Sequence, residues 1–123
     1  MRGLVTPKTR AIYLNSPNNP SGGVLTREDL TAIADLATER NLWVFSDEAY
    51  EDVIYDADDR PGSRPHHEHV SIASLPGMYA RTIPLYTFSK TYAMTGLRLA
   101  YVAVHDRVMR DRIRKMLFYT ISN

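Results

Sequence analysis

The residues best suited to chemistry lie in one stretch, Thr87-Phe88-Ser89-Lys90-Thr91-Tyr92-Ala93-Met94-Thr95-Gly96-Leu97-Arg98. A single lysine stands there among hydroxyls and small residues, just after an apolar run from Ile83 to Phe88 that reads as a buried strand. Arg98 follows it, with Gly96 between them. An amine at a strand end, close to hydroxyls and a guanidinium, suits a group held near a phosphate and able to form a Schiff base with an aldehyde.

The elements that must position this lysine begin with Ala11 to Leu14, a short β-prone run stopped by Asn15-Ser16-Pro17-Asn18-Asn19-Pro20-Ser21-Gly22-Gly23. So many Pro, Asn and Gly residues continue neither a strand nor a helix. The segment is either turn punctuation or a rigid ligand loop at a strand end, where open α/β sheets keep their binding groups. Thr26 then predicts an N-cap, with Asp29 as its capping-box partner. Leu30, Ile33, Ala34 and Ala37 recur at helical spacing up to Asn41. A second buried strand, Leu42 to Phe45, runs into Ser46-Asp47-Glu48-Ala49-Tyr50. Strand, helix and strand in this order predict a parallel βαβ unit with a right-handed crossover. Asp47 then shares the carboxyl edge of the sheet with the Asn19 loop, as a helix N-cap or as a catalytic carboxylate.

Asp56 to His69 is polar, with prolines and a glycine, and reads as a solvated surface loop. Its His66, His67, Glu68 and His69 are adjacent ligands without a partner set elsewhere, a poor preformed metal site. Ser71 to Gly77 reads as a short helical turn or loop, and Leu97 to Val104 as a fourth strand with Arg98 at its start. From Asp106 a helix is expected, with Met109, Ile113, Met116 and Leu117 on one stripe and Arg107, Arg110 and Arg114 on another. Asp106 and Asp111 interrupt the basic face and no aromatic platform accompanies it, so it reads as solvated and not as a nucleic-acid surface.

Composition bounds these readings. The chain has 123 residues, 15 basic and 14 acidic side chains, a net charge of +1 and no cysteine. That is enough for one modest domain, with no field steering it to nucleic acid or membrane and no disulfide or thiolate chemistry. No apolar run approaches the roughly 18 residues of a membrane span, and the first residues lack the apolar segment of a signal peptide. A soluble, cytoplasmic α/β chain is expected.

Together, Asn18-Asn19-Pro20-Ser21-Gly22, Asp47-Glu48-Ala49-Tyr50 and Ser89 through Arg98 resemble the class I/II aminotransferases, enzymes of the aspartate aminotransferase fold that use pyridoxal 5'-phosphate (PLP). The resemblance covers essentially the whole chain. It implies a mostly parallel sheet with flanking helices. It also implies that Lys90 carries the cofactor as a Schiff base and serves as the general base, and that Asp47 pairs with the ring nitrogen. By the same resemblance Tyr50 and Asn19 donate to the ring's phenolic oxygen, Arg98, Ser89 and Thr87 hold the phosphate, and Asn19 also touches the substrate carboxylate. The implied reaction is a two-stage, ping-pong transfer of an amino group from an amino acid to a 2-oxo acid, in a homodimer.

Such enzymes are roughly three times longer, with a large and a small domain. Residues 1–123 are therefore expected to be a central fragment of the PLP-binding large domain. The resemblance implies an N-terminal segment and a C-terminal small domain outside these residues, with apolar surface exposed and little or no activity expected of the fragment alone. Two alternatives stand beside this: a PLP-dependent β-elimination lyase of the same fold, and a non-catalytic remnant or assembly module.

Overall fold

The computed structural model describes residues 1–55 and 69–121. Its main elements are β1 (Ala11–Asn15), α1 (Arg27–Glu39), β2 (Trp43–Asp47), β3 (Thr82–Thr87), β4 (Ala100–Val102) and α2 (Arg107–Thr120), joined by short 3-10 turns. The four strands form one sheet in chain order. β1, β2 and β3 are parallel, and β4 runs antiparallel to β3. This is the mostly parallel α/β architecture expected.

Both ends of α1 are closed by its own sequence. The Asp29 N–H donates to Thr26 Oγ1, and Asp29 Oδ2 accepts from the Thr26 N–H, each at 3.1 Å. At the other end Asn41 takes a left-handed φ of 50°. That turn lets the Leu42 N–H reach the Ala37 carbonyl (2.8 Å) and the Asn41 N–H reach that of Thr38 (3.3 Å), satisfying carbonyls the helix would leave unpaired. Leu30, Ile33, Ala34, Leu36 and Ala37 are buried against Ile12 and Leu14 of β1, Leu42 and Val44, with Ile72, Leu75 and Met78 completing the core.

Alternation along β1 and β2 sends the neighbouring side chains to the opposite face. That face is the more open one among the described residues, and Tyr13 on it is 64% exposed. The stripe on α2 forms as read, with Asp106 capping the helix through the Met109 N–H, yet no residue of α2 is buried. Phe118, Tyr119 and Ile121 are each about two-thirds exposed or more (67%, 73% and 67%). Among the described residues, apolar surface is thus left open.

Two readings need correction. The fourth strand is only Ala100–Val102, because residues Thr95–Leu97 form a 3-10 turn and Arg98 is left-handed (φ 53°, ψ 41°), which cannot continue a ladder. His69 does not belong to a solvated loop: its side chain is 14% exposed and bonded to a buried carboxylate. His66, His67 and Glu68, with the rest of 56–68, lie outside the described residues.

Leu36→Ala empties a site that is 2% exposed and should lower the unfolding free energy by about 2–5 kcal/mol. Phe118→Ala, on the bare face of α2, should change it by less than about 0.5 kcal/mol. Urea denaturation of the two variants checks the contrast.

Candidate active site

Three parallel strands deliver their carboxyl ends to one edge. The register pairs Asn15 with Asp47, and Asp47 with Leu85, two residues before Thr87. The segments leaving this edge carry Asn19, Tyr50 and Lys90.

The loop after β1 is built on two asparagine side chains. Asn15 Oδ1 accepts from Asn18 Nδ2 and from the Asn19 N–H, both at 3.0 Å. Asn18 Oδ1 accepts from Ser21 Oγ (2.6 Å), and Gly22, at φ 70°, donates its N–H to the Asn18 carbonyl (2.8 Å). A left-handed turn of this kind favours glycine. Thus held, Asn19 donates from Nδ2 to the Tyr50 hydroxyl at 3.0 Å. An open groove of about 290 Å³ beside this pair is lined by Asn19, Tyr50, Val53 and Tyr55, among others.

Asp47 ends β2 on the open face of the sheet. Its Oδ2 accepts from the Tyr13 hydroxyl (2.7 Å) and its Oδ1 from the Ala49 N–H (3.2 Å). Turns follow it instead of a helix, so the N-cap alternative is not what forms. The hydrogen bond to Asp47, with some burial and the carboxylate's charge, raises the Tyr13 pKa. Tyr13 was not singled out from sequence. The strand period that places it on the Asp47 face was legible, but the pairing register was not.

The Lys90 segment is fastened to the Tyr50 turn from two sides. Lys90 Nζ lies 5.2 Å from the centroid of the Tyr50 ring, and Thr91 Oγ1 donates to Asp52 Oδ2 at 2.9 Å. The Thr87 hydroxyl accepts from the Ser89 N–H (3.1 Å) and donates to the Leu99 carbonyl (3.3 Å), shaping the turn that carries the lysine. Arg98 donates to the Thr95 carbonyl (2.8 Å) and not to another candidate residue. The structure therefore gathers two candidates around Tyr50, Asn19 at its hydroxyl and Lys90 over its ring. Asp47 stands at the same edge, and Thr87, Ser89 and Arg98 belong to the turns on either side of Lys90.

Glu48 is the larger omission from the sequence reading. It is 1% exposed. Oε1 accepts from Ser71 Oγ (2.7 Å), and Oε2 lies 2.9 Å from His69 Nε2. Burial alone would raise its pKa most strongly, but hydrogen bonds from His69, Ser71 and Ser46, with the charge of His69, outweigh this and leave it lowered. Burial, followed by the charge of Glu48, pushes the nearby Tyr86 phenol well above its usual range. A glutamate after a strand is normally read as solvent-facing. Only its distant partners reveal it as internal.

The family model described as "Aminotransferase class I and II" matches residues 2–122. The chain belongs to that family. It is 47% identical over 114 residues to aromatic-amino-acid aminotransferase 2 of Thermococcus litoralis, covering 93% of this chain and 27% of that protein. The crystal structure of an aromatic aminotransferase from Pyrococcus horikoshii OT3 superposes with a TM-score of 0.83 at 50% identity, over 97% of this chain and 29% of the other. Cystalysin from Treponema denticola, whose structure contains a PLP cofactor, gives 0.76 at 28% identity, over 90% of this chain and 26% of that one. The chain thus spans about a quarter of the length of the relatives it matches.

A lowered native pKa means that the unfolded chain binds the extra proton, so Glu48 adds stability above the ordinary carboxylate pKa, and that stability is lost as pH falls through its depressed value. The stability gap between the chain and Glu48→Gln should therefore be largest near neutrality and shrink in acid, measured by urea unfolding across a pH series.

Proposed function

We propose that this chain is the cofactor-holding part of a PLP-dependent aminotransferase, which moves an amino group from an amino acid to a 2-oxo acid. The observation that carries this is the meeting of Lys90, Tyr50 and Asn19 at the edge where Asp47 ends β2. Family membership and a PLP-containing structural relative support the choice of cofactor.

The donor set suits PLP in kind. Lys90 supplies an amine for the aldehyde, and Asp47 a carboxylate for a ring N–H. The Tyr50 hydroxyl and the Asn19 amide supply donors for a phenolic oxygen. The guanidinium of Arg98 with the hydroxyls of Ser89 and Thr87 suits a phosphate dianion. When bound, PLP supplies an aldehyde that condenses with amines and a ring that withdraws electrons from the substrate α-carbon.

The chain's own groups then divide the work. Asp47 holds a proton at the ring nitrogen, where opposite charge in a partly buried setting favours the protonated form. Asn19 and Tyr50 stabilise negative charge on the phenolic oxygen, and Asn19 also reaches the substrate carboxylate. The Lys90 amine would carry the proton to and from the substrate α-carbon. The left-handed backbone at Arg98 is an uncommon conformation for a non-glycine residue. It is in keeping with a side chain placed for a ligand. A cytoplasmic homodimer, binding neither nucleic acid nor membrane, completes the reading. Among the described residues no helix is long and apolar enough to cross a membrane. Because the chain spans so little of its relatives, we expect weak transamination, or none, from these residues alone.

PLP added to the chain should produce a visible absorbance band that Lys90→Ala abolishes. Supplied with the remainder of a relative's chain, these residues should transfer amine in an oxo-acid-dependent way. Release of pyruvate and ammonia would instead favour the elimination lyase, and no Lys90-dependent band would leave a scaffold without a cofactor site.

A further inference from the structure

We propose that Glu48, clamped by His69 and Ser71, is a positioning residue that sets the direction of Asp47 and Tyr50 toward the cofactor. The inference rests on the cofactor reading above and assigns a task to a residue that reading leaves idle.

Glu48 is fixed at every hydrogen-bonding group it has. Its N–H donates to the Leu85 carbonyl of β3 (3.0 Å), and its carbonyl accepts from the Glu51 N–H (3.1 Å). Both carboxylate oxygens are taken by Ser71 and His69. The clamp is itself anchored. Ser71 Oγ also accepts from the Ala73 N–H (3.2 Å), opening the Ile72–Ser74 turn, and Ile72 is fully buried.

The two residues that face the site have partners of their own, Asp47 in Tyr13 and the Ala49 N–H, Tyr50 in Asn19, but both are more exposed than Glu48. Asp47 precedes Glu48 on the opposite side of the strand, and Tyr50 stands two residues beyond it in the turn closed by the Val53 N–H on the Tyr50 carbonyl (2.9 Å). Glu48 lies one residue past β2, but its N–H still bonds to β3, so the alternation extends to it and a side chain locked inward at 48 favours the outward direction of Asp47. Burying a carboxylate is an expensive way to hold a strand, since an apolar residue of similar size is often at least as stabilising. What the charge adds is direction, because two oxygens bonded to fixed donors define a rotamer that packing alone leaves freer. His69, Glu51 and Tyr86 are the titratable groups that face it.

The test titrates the full 123-residue chain with PLP alone, beside Lys90→Ala, Glu48→Gln, His69→Asn, Ser71→Ala and the Glu48→Gln/His69→Asn double variant. We expect Glu48→Gln to keep a folded far-ultraviolet circular dichroism spectrum and the Lys90-dependent band, while binding PLP about tenfold more weakly, as with the loss of other groups that orient a ligand's direct contacts. The pH midpoint of that band should move upward, because Tyr50 and Asn19 then donate less well to the phenolic oxygen. His69→Asn should reproduce both changes, and the double variant should be little worse than Glu48→Gln, since the residues act as one unit. If Glu48→Gln fails to fold, His69→Asn and Ser71→Ala carry the same expectation. Folded variants with unchanged PLP affinity and unchanged midpoint overturn the proposal, even if their melting temperatures fall. Absence of a Lys90-dependent band in the unaltered chain defeats the cofactor reading itself, and this inference with it.

Discussion

The parallel pairing of β1, β2 and β3 is the constraint on which everything else depends. A parallel pair has both carboxyl ends on one side, so each connecting segment leaves the sheet beside the next. Asn15 beside Asp47, and Asp47 beside Leu85, turn three segments distant in sequence into one rim. α1 makes this possible by returning the chain across the sheet while burying one face of β1 and β2. Its two closed ends limit fraying where β1 and β2 must stay in register.

The rim is then refined by short-range polar contacts. Asn15 and Asn18 hold the loop that presents Asn19, and Thr87 shapes the turn that presents Lys90. These are local bonds between close neighbours, so they follow from the peptide itself. The bonds from Asn19 to Tyr50, Tyr13 to Asp47 and Thr91 to Asp52 differ in kind. They join separate segments and exist only because the sheet has formed.

Below the rim, Glu48 sets a buried charge just past the end of β2. Asp47 and Glu48 are adjacent carboxylates sent to opposite faces by the pleat. One stays on the open face beside Tyr13, and the other is taken inside by His69 and Ser71. Among the described residues, α2 and the open sheet face carry exposed apolar side chains. The described residues hold a core on one side only, in keeping with a chain that spans about a quarter of its relatives.

The amino-acid sequence by itself determined the elements and the chemistry available at their ends. Periodicity located β1, α1, β2 and β3, Thr26 and Asp29 fixed the start of α1, and the motif residues announced a lysine, a carboxylate and a donor pair at one sheet edge. These signals are local, written in the spacing of neighbouring residues. The left-handed turn at Arg98, the shortness of β4, the inward turn of His69 and the pairing of Tyr13 with Asp47 were decided by tertiary structure alone. The burial of His69 and the pairing of Tyr13 depend on which residues distant in the chain come to lie opposite one another. Register sets that, and spacing along a single segment does not encode it.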